Sequence, residues 1–220
     1  MNKDLIILGS TGSIGGSTLK VIKKNNNKFK IKLLSTNNNV NKIYQQAIDF
    51  KVKNIVIKNK KKYEKYKFKF KKKKINVYFN ISDAINKFKK KVYCSINAIS
   101  GIDGLEPTLK VIKISKNIAL ANKESIICGW NFIERELKKN NTNFIPLDSE
   151  HFSIWSLLKN ENLKNIKKIY LTASGGPFLN KTLSQIYNIK PKYALKHPNW
   201  KMGKKISIDS ATMMNKIFEV

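Results

Sequence analysis

The stretch from Asp4 to Lys24, DLIILGSTGSIGGSTLKVIKK, decides the fold. Asp4 to Leu8 is a short apolar run of the length and character of a strand covered on both faces. Gly9-Ser-Thr-Gly12-Ser-Ile-Gly15 follows at once, and TLKVIKK then opens a helix. Strand, glycine turn and helix in this order put backbone N–H groups and the positive end of a helix dipole where a pyrophosphate can sit. The other reading of the same glycines is a turn that only packs helix on sheet.

Outward from this unit the pattern repeats. FKIKLLST (Phe29 to Thr36) and KNIVI (Lys53 to Ile57) read as further strands, and VNKIYQQAIDF between them places Ile43, Ala47 and Phe50 at helical spacing. This is βαβαβ, an α/β parallel sheet covered by helices. VYCSINAI (Val92 to Ile99), NIALAN (Asn117 to Asn122) and NFIPLD (Asn143 to Asp148) continue the strands, with EPTLKVIK and SIICGWNFIERELKKN as intervening helices. IKKIYLTASGGP (Ile166 to Pro177) and KISID (Lys205 to Asp209) read as strands of a following α+β region that begins near residue 150. Ser210 reads as the cap of a last helix over Ala211 to Val220, which stops with no Gly or Pro signal and so predicts a truncated chain. The second strand names the dinucleotide: no Asp or Glu lies between Asp4 and Asp49 to hold a ribose 2′-hydroxyl. It ends instead in Ser35-Thr36-Asn37-Asn38-Asn39, neutral donors that do not repel a 2′-phosphate and so favour NADP.

The formal charge of +30 on 220 residues would by itself point to a nucleic-acid or anionic-surface binder. Of the 44 basic residues only Arg135 is arginine, however, and phosphate-fork and base-edge recognition recruits arginine. Asn and Ile are inflated along with Lys, the signature of A/T-rich codons. The densest run, Lys58 to Lys74, reads as a solvated helix or loop whose few aromatics face the core. No apolar run approaches the ~20 residues of a membrane span. Cys94 and Cys128 lack CxxC spacing and read as reduced thiols of a cytoplasmic protein.

Chemistry concentrates in the last third. In FIPLDSEH, Asp148 and Glu150 lie two apart at a strand end, so both aim to one face. Two hard oxygen ligands suit Mg²⁺ or Mn²⁺, with Co²⁺ as a further option. Alternatively Asp148 or Ser149 caps the HFSIWSLL helix and Glu150 interacts with its dipole. Glu219 adds a third acid, with Asn215 and Lys216 on the same helical face. Together with Ser174 in the TASGGP turn and Ser210, Asn215 and Lys216 can form a phosphate cradle, or the face is simply solvated. HPNWKMG is a loop by its Pro198 and Gly203, with Trp200 and Met202 placed to serve as a lid over a site that includes His197. His151 reads as structural.

ILGSTGSIG, LANKES (Leu120 to Ser125), PLDSEH (Pro146 to His151), LTASGGPF (Leu171 to Phe178) and HPNWKMGKKISIDSATMMNKIFE (His197 to Glu219) resemble, in order and spacing, the 1-deoxy-D-xylulose 5-phosphate reductoisomerases of non-mevalonate isoprenoid biosynthesis. The resemblance implies a Rossmann-like NADPH-binding domain over residues 1–149 and a truncated catalytic domain over 150–220. It also implies a homodimer in the full-length form, with neither nucleic acid nor membrane as partner. By resemblance, Asp148, Glu150 and Glu219 bind the metal. Lys123, Ser149, Glu150, His197 and Glu219 attend the reacting part of the substrate, while Ser174, Ser210, Asn215 and Lys216 take its phosphate. Thr11, Gly12, Ser13, Ile14, Asn122, Glu124 and Gly203 line the NADPH site, with Asn37, Asn38 and Asn39 at its adenosine end, and Trp200 and Met202 belong to the closing flap. Where the family commonly has Gly-Lys after the second strand, this chain has Asn37-Asn38, so that motif carries no cation. A further acid expected just after Glu219 and the C-terminal helical domain are absent from these residues. Two other readings compete: an inactive NADPH-binding fragment, and a basic nucleic-acid binder on a Rossmann scaffold.

Overall fold

The computed structural model describes residues 3–25, 27–200 and 202–220. Contacts divide the chain into two compact units, residues 1–148 and 149–220.

The first unit alternates strand and helix: β1 (Lys3–Leu8), α1 (Ser13–Lys24), β2 (Phe29–Thr36), α2 (Val40–Asp49), β3 (Asn54–Ile57), α3 (Lys60–Lys71), β4 (Asn76–Tyr78), α4 (Ile81–Ile85), β5 (Val92–Asn97), α5 (Leu105–Ile112), β6 (Ser115–Leu120), α6 (Lys123–Asn140) and β7 (Asn143–Pro146). The strands form one sheet in the order β4-β3-β2-β1-β5-β6-β7, and every neighbouring pair is parallel. The chain builds outward from β1 to β4 and then returns to lay β5 on the other side of β1. A crevice therefore opens at the carboxyl ends of β1 and β5, the switch point where α/β sheets bind ligands.

The apolar run of β1 is explained by burial on both faces. Leu5 and Ile7 enter one core with Leu19 and Ile22 of α1, Ile43 and Ala47 of α2 and Phe70 of α3. Ile6 and Leu8 enter the other with Val111 and Ile112 of α5 and Ile133 and Leu137 of α6. Each such Leu, Ile, Val or Phe side chain, fully buried, contributes about 1.5–3 kcal/mol. The lysine-rich run forms α3, where Phe70 is wholly buried, Tyr63 and Tyr66 are half-buried and most lysines face solvent. β4, three residues bounded by lysines and a turn, and the short α4 have no counterpart among the sequence expectations. Among the described residues no helix is long and apolar enough to cross a membrane.

The second unit contains α7 (Ser149–Leu158), α8 (Leu183–Tyr187), α9 (Pro191–Ala194), α10 (Lys204–Ala211) and α11 (Met214–Ile217), and no strand among its described residues. Three sequence expectations are corrected here. Residues 166–175 lack regular secondary structure, and Gly176–Phe178 is a 3₁₀ turn. Lys205 to Asp209 is helical: the alternating Ile206 and Ile208 are both exposed, whereas Ser207, Ser210 and Ala211 are buried at helical spacing. A Lys205–Asp209 pair at 2.6 Å across one turn and Ser207 Oγ donating to the Gly203 carbonyl at 3.2 Å add local support. The third correction concerns the last helix, which does not run through from Ala211. Met213 takes a left-handed conformation, φ 59°, and separates α10 from the single turn of α11, so Ser210 ends one helix instead of capping the next.

Candidate active site

In the first unit the glycine turn sits at the carboxyl end of β1. Gly9 has φ +70°, and a Cβ there would lie 2.6 Å from the Ala98 carbonyl oxygen, so only glycine fits. Its N–H donates to Ser35 Oγ at 2.9 Å, while buried Ser10 exchanges hydrogen bonds with Gln46 of α2 at 2.8 and 2.9 Å. Thr11 pairs its hydroxyl with that of Thr36 at 2.8 Å. The turn is thereby fixed to β2 and α2, while Gly12, Ser13 and Ile14 face solvent. No side chain caps α1, so the amides of its first turn point outward with the helix dipole behind them, the arrangement that receives a phosphate.

Four further predicted residues lie at the carboxyl ends of β6 and β7. Asn122, buried, caps α6 by accepting from the Ser125 N–H at 2.6 Å and donates to the carbonyls of Gly101 at 2.6 Å and Ile99. Its side chain is thus committed to holding two loops. Lys123 and Glu124 form the first turn of α6, and the Lys123 ammonium lies 2.6 Å from Asp148, whose side chain is only 8% exposed. Asp148 is the last residue of this unit.

Asn37, Asn38 and Asn39 are exposed at the end of β2. Sequence reasoning found no cation in that motif, but the fold supplies two from neighbouring helices. Lys62 of α3 donates to the Asn38 carbonyl at 2.7 Å, and Lys42 of α2 to the Thr11 carbonyl at 2.8 Å. A local signal exists, since each lysine stands three residues after an Asn cap, Asn59 and Asn39.

In the second unit Glu150 lies in the first turn of α7, and Ser149 donates to its Oε2 at 2.7 Å. Lys216 donates to Glu150 Oε1 at 2.5 Å and also to Glu219 Oε2, and ligand oxygens of the two glutamates lie within 4.8 Å of each other. Burial alone would raise the Glu150 carboxyl, but the hydrogen bonds from Lys216 and Ser149 outweigh it and hold the pKa below the usual value. Burial would likewise lower Lys216, but its bonds to Glu150 and Glu219 raise it above the usual lysine value. A cation thus already stands between two carboxylates. Glu219 lies just beyond α11, so the expected i,i+4 relation with Asn215 on one helix does not form, whereas the Lys216–Glu219 pair does. Asn215 keeps a buried Oδ1 with no hydrogen-bond partner among the described residues.

Ser174 and His197 are brought together, Oγ to Nε2 at 3.0 Å. His197 Nδ1 accepts the N–H groups of Asn199 and Trp200, both at 3.1 Å. Nδ1 is therefore unprotonated, and Nε2–H faces Ser174. Trp200, 59% exposed, stacks on the His197 ring at 4.9 Å between centroids. Gly176, φ +63°, brings the TASGGP turn so close to α10 that a Cβ would meet the Ser210 carbonyl at 2.6 Å. Ser210 itself is buried, and Met202 and Gly203 are half-buried in the loop before α10.

A family model described as 1-deoxy-D-xylulose 5-phosphate reductoisomerase matches residues 5–129, and its C-terminal-domain model matches residues 144–220. The enzyme of that name from Pelagibacter ubique (strain HTCC1062) is 55% identical over 99% of this chain and 57% of its own length. The one from Wolbachia pipientis subsp. Culex pipiens (strain wPip) is 44% identical over 99% and 56%. Among solved structures, a DOX-P reductoisomerase in complex with NADPH, fosmidomycin and magnesium superposes with a TM-score of 0.89 at 35% identity, covering 99% of this chain and 56% of that one. The Zymomonas mobilis enzyme in complex with NADPH gives 0.86 at 32% identity, over 100% and 56%. The chain therefore spans a little over half the length of the relatives it matches. With both family models aligned to it in order, the chain belongs to the 1-deoxy-D-xylulose 5-phosphate reductoisomerase family.

Proposed function

We propose that this chain carries the nucleotide- and metal-binding parts of an NADPH- and divalent-metal-dependent reductoisomerase that converts 1-deoxy-D-xylulose 5-phosphate to 2-C-methyl-D-erythritol 4-phosphate. The observation that carries this reading is the pair Glu150 and Glu219 around the Lys216 ammonium. Two hard carboxylates that already enclose a positive charge suit Mg²⁺ or Mn²⁺, so the residues fit the metal named with the family's solved structures. Asp148, Glu150 and Glu219 would hold it. Bound there, the cation supplies Lewis acidity toward the ketone and hydroxyl oxygens of the substrate.

The remaining chemistry belongs to side chains. Lys123 beside Asp148 and Ser149 beside Glu150 orient the substrate's hydroxyls. His197, its tautomer set by two backbone donors, offers Nε2–H as a directed hydrogen-bond donor. Ser174, Ser210, Asn215 and Lys216 would take the phosphate, the Lys216 ammonium as its charge-assisted donor. NADPH, when bound, would supply the hydride that reduces the aldehyde formed by the sugar's skeletal rearrangement. Thr11 to Ile14, Asn37 to Asn39, Glu124 and the backbone at Asn122 serve the dinucleotide within residues 1–149, and Gly203 is assigned to it by the family resemblance. Trp200 and Met202 exclude water during hydride transfer.

The test is NADPH oxidation by the protein carrying this chain, with the sugar phosphate and Mn²⁺. Activity dependent on both and abolished in Asp148→Asn supports the assignment, whereas activity that survives Asp148→Asn sinks the metal role.

A further inference from the structure

The carboxyl end of β2 is where a Rossmann-type sheet meets the adenosine ribose, and discrimination between NADP and NAD is made there. In this chain the loop itself, Asn37-Asn38-Asn39, has no charge. Beside it lies an open cleft of about 380 Å³ whose walls include Asn38, Asn39, Lys62 and Tyr66, with no carboxylate among the lining residues. Lys62 is half-buried, and its ammonium is placed by one hydrogen bond of 2.7 Å to the Asn38 carbonyl. An ammonium has three donors, so two remain to face the cleft. The loop that Lys62 reaches is itself braced: Asn59 donates to Asn38 Oδ1 at 2.9 Å and accepts the Lys62 N–H at 3.0 Å. The cation is therefore held against a fixed wall instead of trailing in solvent. α2 and α3 both begin at this place and add their positive ends.

We propose that Lys62, a residue of α3 outside the nucleotide motif, is the specificity-determining cation for the 2′-phosphate of NADPH in this chain. The inference rests on the reading that the chain binds NADPH, and it adds which residue makes the choice against NADH. Lys62 acts on binding only; it touches no reacting atom.

The experiment measures dissociation constants of NADPH and NADH by nucleotide fluorescence for the chain and its Lys62→Ala, Lys62→Arg and Lys62→Glu variants, with 2′,5′-ADP and 5′-AMP as competitors. One charge-assisted hydrogen bond corresponds to roughly a tenfold to hundredfold change in affinity. Lys62→Ala is therefore expected to weaken NADPH and 2′,5′-ADP by that factor and to leave NADH and 5′-AMP within about twofold, with Lys62→Arg preserving the preference and Lys62→Glu reversing it. Equal weakening of both nucleotides would mean that Lys62 only braces the Asn38 loop, and an unchanged NADPH preference would place the cation elsewhere; either result overturns the proposal. A folded wild-type chain that binds neither nucleotide refutes the NADPH reading itself and the proposal with it.

Discussion

Substituting alanine at Gly15 and, separately, at Gly16 should move stability in opposite directions, although the two glycines are adjacent in the first turn and a half of α1. A Cβ on Gly15 would stand 2.4 Å from the Gly9 carbonyl oxygen and 2.6 Å from the Ser10 Cα. Both neighbours are backbone atoms of a turn tied to β2 and α2, so the helix must retreat by about 1 Å to reach ordinary contact near 3.4 Å. Overpacking against atoms that cannot swing away lies toward the upper end of the usual ~1–3 kcal/mol. The gain in helix propensity returns about 0.5–1 kcal/mol. A net loss of roughly 2 kcal/mol is expected for Gly15→Ala. At Gly16 the nearest atom is the flexible Lys42 ammonium at 4.0 Å, so Gly16→Ala should gain about 0.5 kcal/mol. Urea denaturation of the two variants beside wild type gives the difference, and NADPH titration of Gly15→Ala should show weakened binding because the amides of the α1 first turn are displaced. Equal stability of the two variants would refute the assignment of Gly15 to close strand–helix packing.

Asn122→Ala removes the α6 cap and leaves the carbonyls of Ile99 and Gly101 unpaired, a loss of about 2–3 kcal/mol that urea denaturation can read. Cys94 is buried and its thiol is pushed up to about 11, whereas Cys128 is exposed. Iodoacetamide at mild alkaline pH followed by mass spectrometry should therefore label one thiol in the native protein and two in urea. The Glu150–Lys216–Glu219 cluster sets a pH window. Glu150 is depressed, so its stabilisation is complete above the ordinary carboxyl value of about 4.3 and is lost as pH falls through its lower folded value. Lys216 is raised, so its contribution is complete below about 10.4 and is lost as pH rises through its higher folded value. Urea midpoints recorded against pH should show a plateau between these limits that Lys216→Met flattens at both ends.

The first unit was legible because its signals are local and repeated. DLIIL is apolar at every position after Asp4 because both faces of β1 are covered, and the glycine turn must follow it where the backbone passes Ala98. The second unit was not legible in the same way. Ile206 and Ile208 alternate as in a strand, yet the Lys205–Asp209 pair and the Gly203 start give a helix with both isoleucines exposed. Met213 breaks the last helix with a left-handed backbone that no Gly or Asn announces. Lys216 illustrates the site: its i,i+3 relation to Glu219 was legible in the sequence, whereas its ion pair with Glu150 spans 66 residues and no spacing rule reveals it. Lys62 was only partly legible: its place after the Asn59 cap is local, but its approach to Asn38 is set by the packing of α3 against α2, β3 and β4.

These carboxylates either serve a divalent metal or only pair with lysines. Titration of the chain with Mn²⁺, followed by the paramagnetic resonance of the free ion, decides between them. One Mn²⁺ is expected to be taken up per chain, and Glu150→Gln should weaken the uptake at least tenfold through loss of a charged ligand. Mn²⁺ that stays free at every protein concentration, or uptake that Glu150→Gln leaves unchanged, would contradict the metal role.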